Sequence, residues 1–163
     1  MIAARWIRME QSCRGVLPVA VRGFARAQSA RAAPSVLWDW NGDGNVACAL
    51  VAPFKFAPGR RQRWVSWALA PLIASYRMFG LRAYLEADAV CLSGGRIATC
   101  EAMTVGECAV VVFRFLPVEG DFMEAFRGRI EAQQGWQFDN SWPSGEERAA
   151  MDGALTVEAS GAD

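Results

Sequence analysis

Two stretches of the chain repeat one pattern of apolar and basic positions. Residues 48–51 read Cys-Ala-Leu-Val and lead into Phe-Lys-Phe-Ala-Pro at 54–58, and residues 108–111 read Cys-Ala-Val-Val and lead into Phe-Arg-Phe-Leu-Pro at 113–117. A Gly lies near the Pro that closes each copy, and residues with helical spacing follow. The repeated unit is therefore predicted to be a strand, a short turn and a helix.

Alternation of apolar and polar residues predicts the strands. Apolar residues occupy every second position over 46–56, with Lys55 on the opposite side, which predicts a half-buried strand. Residues 107–116 are apolar on both faces, as expected of a central strand. Alternation also predicts a strand over 81–90 and a short one over 96–103, paired as a hairpin.

Two segments have the spacing of amphipathic helices. Their apolar residues are Trp64, Trp67, Ala68, Leu72, Tyr76 and Phe79 in the first and Phe122, Met123, Phe126 and Ile130 in the second. This spacing predicts helices over 60–79 and 121–134, the first kinked at Pro71 and the second ended by Gly135. Residues 136–147 are rich in turn formers, and 154–159 predict a last strand.

The order of these elements indicates a fold class. Strand, helix, strand, an extra short strand, strand, helix and strand is the split β-α-β order of an α+β, ferredoxin-like sheet. Two helices are expected on one face of this sheet, with one inserted short strand. Its two halves are related by a pseudo-twofold axis, which would account for the repeated phrase without requiring two domains.

The first residues differ from the rest in charge. Residues 1–38 carry six arginines and one acidic residue, Glu10, so this end has a formal charge of +5 within a chain of net charge zero. Such a segment resembles a mitochondrial transit peptide, with a candidate processing region at 22–25. We therefore predict a disordered or cleaved segment at 1–36, one domain at 37–160 and a location on the matrix side of the mitochondrion. The alternative is a disordered basic arm that is never removed.

Composition excludes several chemistries. The chain has 163 residues, 53% of them apolar, which suffices for one domain with a core. It has no histidine, which excludes Ser-His-Asp and Cys-His catalysis and haem held by a proximal histidine. Its five cysteines, Cys13, Cys48, Cys91, Cys100 and Cys108, form no Cys-x-x-Cys pair. They are predicted to be free thiols, buried at 48 and 108, and no cofactor is predicted.

Two groups of residues are candidates for ligand binding. Trp64, Trp67 and Tyr76 share one helical face and would stack a flat substrate while Tyr76 donates a hydrogen bond. Asn140 and Trp142 would offer an amide and an indole N–H to a substrate carbonyl. Each group has an ordinary structural alternative, since an aromatic stripe at helical spacing is typical of a core and residues 139–143 are typical of a turn.

A further segment resembles the first part of a calcium-binding loop. Asp39, Asn41 and Asp43 have the spacing of oxygen ligands, and Gly44 follows. The twelfth position is Leu50, where a bidentate Glu is needed, and no helix is predicted on either side. A tight turn before the first strand explains the same residues, so no metal site is predicted.

The region from Val46 to about Gln134 resembles the dimeric α/β-barrel group that includes the antibiotic-biosynthesis monooxygenases. The resemblance rests on three segments, residues 54–59, 80–82 and 110–114, the last of which precedes the second helix. It implies a homodimer formed through the sheet and an apolar pocket between sheet and helices. Some members of this group oxidise aromatic substrates without a metal.

Two functions are compatible with this reading. The first is a small dimeric α/β-barrel protein that binds, and in some relatives oxidises, an apolar small molecule without metal. The alternative is a non-catalytic accessory subunit of a mitochondrial multiprotein complex. No nucleic-acid partner is predicted. The uncharged run at 64–76 is shorter than the ~20 residues of a membrane span, although a helix lying on a membrane or a partner remains open.

Overall fold

The strands of the chain form one mixed sheet. The computed structural model describes residues 1–9, 17–28, 33–41 and 43–159, and its eight strands are ordered β4-β5-β6-β7-β3-β2-β1-β8. The strands are β1 (Ile2–Arg8), β2 (Ser35–Trp40), β3 (Val46–Pro53), β4 (Tyr84–Glu86), β5 (Ala89–Leu92), β6 (Gly95–Val105), β7 (Cys108–Phe115) and β8 (Trp136–Asn140). Strand β1 pairs parallel with β2 and with β8, and the other pairs of neighbouring strands are antiparallel.

Four helices in the described part of the chain cover both faces of the sheet. They are α1 (Leu17–Gln28), α2 (Trp64–Met78), α3 (Phe122–Gln134) and α4 (Gly145–Ala159). Helices α2 and α3 pack on one face, around Phe113, Phe115 and Phe126. Helices α1 and α4 pack on the other face, around Val51, Val110 and Phe24. The chain therefore has two apolar layers, one on each side of the sheet.

The predicted ferredoxin-like sheet with helices on one face is wrong. All eight residues of β3 are buried, so this strand is not the half-buried strand that the alternation predicts. The positions between the larger apolar residues are Ala47, Ala49 and Val51, which are small enough for α1 to pack against them. The second helix layer was missed because small apolar residues such as Ala also occur on solvent-facing sides, so Ala47 and Ala49 did not indicate a second buried face.

The predicted disordered or cleaved N-terminal segment is also wrong. Strand β1 lies inside the sheet, between β2 and β8, and Ile7 is fully buried. The candidate processing region at 22–25 lies in α1, where Phe24 is fully buried. The mitochondrial location inferred from the arginines stays a prediction, and Cys13, Arg14 and Arg31 lie outside the described residues.

The two copies of the repeated phrase form neighbouring strands of one sheet. Strands β3 and β7 pair antiparallel, with Cys48 opposite Phe113, so they are not the related halves of a ferredoxin-like sheet. The copies also end differently. Residues Phe54–Phe56 form a short 3-10 turn, whereas Phe113 and Phe115 continue the strand. Similar sequence therefore specifies two strands with different ends.

The helices predicted over 60–79 and 121–134 are confirmed as α2 and α3. The strand predicted over 81–90 is divided into β4 and β5 by a turn at Ala87, whose φ is 53°. The strand predicted over 154–159 is wrong, because these residues belong to α4. No described helix is both long and apolar enough to cross a membrane.

Helix α4 begins with a reciprocal pair of side-chain hydrogen bonds. The Ser144 hydroxyl accepts from the Glu147 backbone N–H at 3.1 Å, and Glu147 accepts from the Ser144 backbone N–H at 2.8 Å. This capping box satisfies two backbone donors that the helix itself leaves unpaired. The Ser-x-x-Glu sequence at 144–147 was therefore a signal for the start of a helix. The alternation of residues 154–159 suggested a strand instead.

Candidate functional site

The predicted aromatic face of α2 packs against the sheet. Trp64 and Tyr76 are buried, and their polar atoms are used internally. The Trp64 indole N–H donates to the carbonyl of Pro58 at 2.8 Å, and the Tyr76 hydroxyl donates to the carbonyl of Leu116. Burial raises the pKa of the Tyr76 hydroxyl well above its usual range. These two side chains hold α2 to the sheet, and their role in ligand binding stays a prediction.

Trp67 links α2 to α3. Its indole N–H donates to the side-chain carbonyl of Gln134, and its own backbone carbonyl accepts from the Gln134 amide at 3.2 Å. That carbonyl is free because Pro71, four residues later, has no N–H to donate. Gln134 therefore satisfies both the indole and the carbonyl that the proline leaves unpaired.

Replacing Gln134 with Met is expected to lower the free energy of unfolding by about 1–3 kcal/mol, because a donor and an acceptor near the core lose their partners. The measurement is urea denaturation followed by tryptophan fluorescence. Gln133→Met is the matched control, since Gln133 is exposed and has no such bonds, and its expected effect is within ~0.5 kcal/mol. Equal losses in both variants would contradict this role of Gln134.

Asn140 and Trp142 lie apart from the α2 aromatics. Trp67 contacts Trp136 at the start of β8, with ring centroids 5.9 Å apart, whereas Asn140 lies at the other end of that strand. The Asn140 side chain accepts from Arg127 at 2.6 Å. The Trp142 indole is exposed, and its backbone carbonyl accepts from Arg5 at 2.7 Å. The structure does not bring the two predicted groups together.

Asp39, Asn41 and Asp43 belong to the hairpin between β2 and β3. Asp43 accepts from the Asn45 backbone N–H at 3.0 Å and pairs with Arg114 at 2.6 Å. The hydrogen bond from Asn45 is the main cause of the lowered pKa of the Asp43 carboxyl. Among the described residues, which leave out Gly42, no three potential ligands are grouped as a metal site requires.

The cysteines of the described ranges are free thiols, and Cys48 and Cys108 are buried as predicted. Burial raises the pKa of the Cys108 thiol to about 11 and that of Cys100 to about 12, with a smaller contribution from neighbouring carboxylates. Burial also raises the pKa of Cys48. Because the thiolate is the reactive form, none of these three is suited to nucleophilic chemistry near neutral pH.

A cleft of about 460 Å³ lies between the sheet and α3. The sheet contributes Trp6 from β1 and Trp38 from β2, whose ring centroids are 6.1 Å apart. The helix contributes five residues that recur on one face, which are Met123, Glu124, Arg127, Gly128 and Glu131. We call this site the aromatic cleft. A Cβ added at Gly128 would meet nothing within 4 Å, so the helix leaves open space there.

Charged side chains hold one wall of the aromatic cleft. The Arg127 guanidinium lies over the Trp6 ring, 5.5 Å from its centroid, and donates to the carbonyl of Phe138 at 2.9 Å. Glu131 accepts from the Phe138 backbone N–H at 2.8 Å. On the sheet side, Arg8 lies 5.2 Å from the centroid of the Trp38 ring. These contacts fix the wall in one position before any ligand binds.

One donor beside the aromatic cleft is unused. Among the described residues, the buried indole N–H of Trp38 has no hydrogen-bond acceptor. An unpaired buried donor of this kind is costly, and it requires a specific explanation in a native structure. The sequence pattern does not reveal this site, since Trp6 falls in the segment that is predicted to be disordered. The available signal was the alternation of Trp38 and Trp40 around Asp39.

Comparison with solved structures identifies the fold. A bi-partite lipoate protein ligase from Thermoplasma acidophilum has a TM-score of 0.77 at 9% sequence identity, over 96% of this chain and 93% of its own. Lipoate-protein ligase A bound with ATP has a TM-score of 0.74 at 8% identity, over 95% of each chain. The biotin acetyl coenzyme A carboxylase synthetase from Helicobacter pylori, with bound biotinylated ATP, has a TM-score of 0.57 at 12% identity, over 82% and 75%. No protein-family model and no curated protein matches the sequence.

This chain therefore has the fold of the lipoate and biotin ligases. The resemblance to the antibiotic-biosynthesis monooxygenases is wrong, because an eight-stranded mixed sheet with helices on both faces matches the ligases over nearly its whole length. The predicted dimeric α/β-barrel function is therefore wrong. The accessory-subunit alternative is wrong as well, because it was based on the same sheet. At identities of 8–12% the likeness establishes fold and leaves activity to be tested.

Proposed function

We propose that this chain is a ligase of the lipoate and biotin class, which activates a carboxylic acid with ATP for transfer to a protein amine. The observation that carries the proposal is the extent of the likeness, which covers 96% of this chain and 93% of a lipoate protein ligase. A likeness restricted to one supersecondary motif would support the proposal far less, because short motifs recur in many folds.

The proposed reaction has two steps. In the first, a carboxylate oxygen attacks the α-phosphorus of ATP, and the bond from this phosphorus to the α,β-bridging oxygen breaks. The products are an acyl-adenylate and free pyrophosphate. In the second, an amine attacks the acyl carbon, AMP leaves with the bonding electrons, and the amine loses its proton. Neither step requires a redox cofactor or a histidine, so the absence of histidine from the chain is compatible with it.

The aromatic cleft is the proposed site for the acid. Lipoate and biotin each carry a compact ring that contains sulfur, and sulfur makes favourable contacts with aromatic rings. Trp6, Trp38 and Met123 provide a wall of that kind. Arg127 lines the cleft and supplies positive charge for a carboxylate, and Arg8 lies over the Trp38 ring beside it. A cleft of about 460 Å³ is within the range of small-molecule sites.

Calorimetric titration with lipoic acid, and separately with biotin, in the presence of ATP and Mg²⁺ tests this proposal. We expect one of the two acids to bind and to release pyrophosphate in a coupled assay. The decisive variant is Gly128→Phe, which places a ring in the open space of the aromatic cleft and is expected to weaken binding at least about tenfold. Tryptophan fluorescence gives a second readout, since two of the seven tryptophans line the cleft.

Gly153→Phe is the matched control, because Gly153 is an exposed helical glycine of α4 and a Cβ there also meets nothing within 4 Å. It is expected to leave binding unchanged. If neither acid binds to the unsubstituted chain, the proposed function is wrong. If an acid binds and Gly128→Phe has no effect, the function stands and its placement in the aromatic cleft is wrong.

A further inference from the structure

The segment that contains α2 carries charge of one sign only. From 44 to 85 the chain has one lysine, five arginines and no acidic residue, whereas the net charge of the whole chain is zero. All six of these basic side chains are exposed, and none forms a salt bridge with another described residue. The surface around α2 is therefore strongly positive. The six residues are Lys55, Arg60, Arg61, Arg63, Arg77 and Arg82.

One face of α2 points away from the sheet and stays open to solvent in the part of the chain that the structure describes. Its residues recur at helical spacing and are exposed or half-buried, and they are Ser66, Ala70, Ile73, Ala74 and Arg77. Arg63 lies one turn before Ser66. Arginines therefore stand at both ends of an uncharged stretch of helix surface about 20 Å long.

Large apolar side chains are exposed at both ends of α2. At the first end, Phe54 is 46% exposed and stacks on Trp64 with ring centroids 6.2 Å apart. At the other end, Met78 is 58% exposed. Five of the ten large apolar side chains that are exposed in the described ranges lie within 54–85, the others being Phe79, Tyr84 and Leu85. Exposed apolar surface is thus concentrated in the segment that has no acidic residue.

A shallow groove joins the open face of α2 to the residues that follow the helix. The groove has a volume of about 660 Å³, and its lining includes Ala74 and Met78 of α2 and Leu85 of β4. Arg77 also lines it and donates its Nε–H to the carbonyl of Ala83 at 3.2 Å, which holds the guanidinium beside the apolar residues. Helix and following segment therefore form one surface. We call the exposed side of residues 54–85 the basic face.

We propose that the basic face is a docking surface for an anionic membrane. Helix α2 lies parallel to the lipid surface, the arginines contact lipid phosphates, and Phe54, Met78 and Leu85 enter the boundary between head groups and acyl chains. Interfacial helices that combine cations with aromatic and aliphatic side chains bind membranes in this way. Clusters of about four to eight Lys or Arg recognise anionic head groups, and the basic face has six.

The distribution of the side chains favours a lipid surface over an acidic protein. Protein interfaces gather apolar side chains in a central core and leave charged ones at the rim. In the basic face the two kinds are neighbours at both ends, since Phe54 precedes Lys55 and Met78 follows Arg77. Lipid head groups and acyl chains rearrange around such a mixture. This inference is independent of the proposed ligase function, because none of the six basic residues lines the aromatic cleft.

Flotation of the full chain with phosphatidylcholine vesicles, with and without about 30% phosphatidylglycerol, tests the basic face. We expect binding to the anionic vesicles that weakens as salt is added, and at least about tenfold weaker binding to phosphatidylcholine alone. Arg63→Gln combined with Arg82→Gln is expected to lower the vesicle partition coefficient at least about tenfold, since each cation near an anionic surface contributes about fivefold. Met78→Ser is expected to lower it about threefold, because less apolar surface enters the lipid.

Arg22→Gln combined with Arg148→Gln is the matched control. It removes the same charge from exposed positions of α1 and α4, on the opposite face of the sheet, and is expected to change vesicle binding less than about twofold. Equal losses in the two charge variants would overturn the placement on the basic face. Soluble poly-glutamate is the second probe. Binding to poly-glutamate without binding to anionic vesicles would overturn the lipid partner and assign this surface to an acidic protein.

Discussion

Replacing Arg5 with Met is expected to lower the free energy of unfolding by about 3–5 kcal/mol, the largest effect of any single substitution considered for this chain. The Glu147 side chain is fully buried and accepts two hydrogen bonds from the Arg5 guanidinium, at 2.7 and 2.9 Å. Removal of the guanidinium takes a counter-charge and two short hydrogen bonds away from a buried carboxylate. Chemical denaturation of the purified chain measures the loss.

The other contacts of Arg5 explain why Met cannot replace it. Its guanidinium donates to the Ser141 hydroxyl at 3.1 Å and to the Trp142 carbonyl at 2.7 Å, and it lies 5.5 Å from the centroid of the Phe24 ring. One side chain of β1 thus joins α1, the segment after β8, and α4. Met retains the apolar stem and loses all of these polar bonds.

A double-mutant cycle separates the ion pair from the other contacts. Arg5→Met combined with Glu147→Gln removes both charges and leaves a side-chain carbonyl for the Ser144 N–H, so we expect the loss to be clearly smaller than the sum of the single losses. Arg8→Met is the control on the same strand, with an expected cost of ~0.5–1 kcal/mol for its cation–π contact. Similar costs at positions 5 and 8 would show that the buried pair contributes little.

Replacing Gly23 with Ala is expected to lower the free energy of unfolding by about 2–3 kcal/mol. A Cβ at position 23 would lie 2.2 Å from the backbone carbonyl oxygen of Ala150, so α1 and α4 must move apart. The atom in the way belongs to the backbone, and a rotamer change cannot relieve the clash. Movement of α4 would also disturb Met151, which is buried against α1.

Gly153→Ala, in the same pair of helices, is expected to change the free energy of unfolding in the opposite direction. A Cβ at Gly153 meets nothing within 4 Å, so alanine there is expected to stabilise the chain by ~0.5–1 kcal/mol through its higher helix propensity. Opposite signs at positions 23 and 153, measured by thermal and urea unfolding, distinguish close helix packing from propensity. A neutral Gly23→Ala would mean that α1 and α4 are not held at this distance.

Local patterns predicted the elements with a strong period. Helices α2 and α3 follow from the spacing of Trp64, Leu72, Phe126 and Ile130, and β7 follows from its apolar run. Predictions failed where the pattern of a segment is compatible with both a helix and a strand. Residues 154–159 alternate like a strand, but they continue a helix that begins at the Ser144 capping box.

The basic N-terminus shows why composition alone misleads. Six arginines with one acidic residue among them resemble a targeting segment, because the residue that pairs with Arg5 lies 142 positions later in the chain. A sequence pattern over a short window cannot include such a partner. The aromatic cleft is not visible in a short window either, because its walls come from Trp6, Trp38 and Arg127, which are far apart in the sequence.

The sequence by itself determined the local elements: the central strands, the two amphipathic helices, the buried thiols and the absence of histidine chemistry. These depend on residue type and spacing within a few turns of helix or strand. Only the tertiary structure decided the order of the strands, the second helix layer over β3 and the place of Trp6 beside Trp38. These features depend on contacts between residues that are far apart in the chain. No single segment contains both partners of such a contact, so no local pattern predicts it.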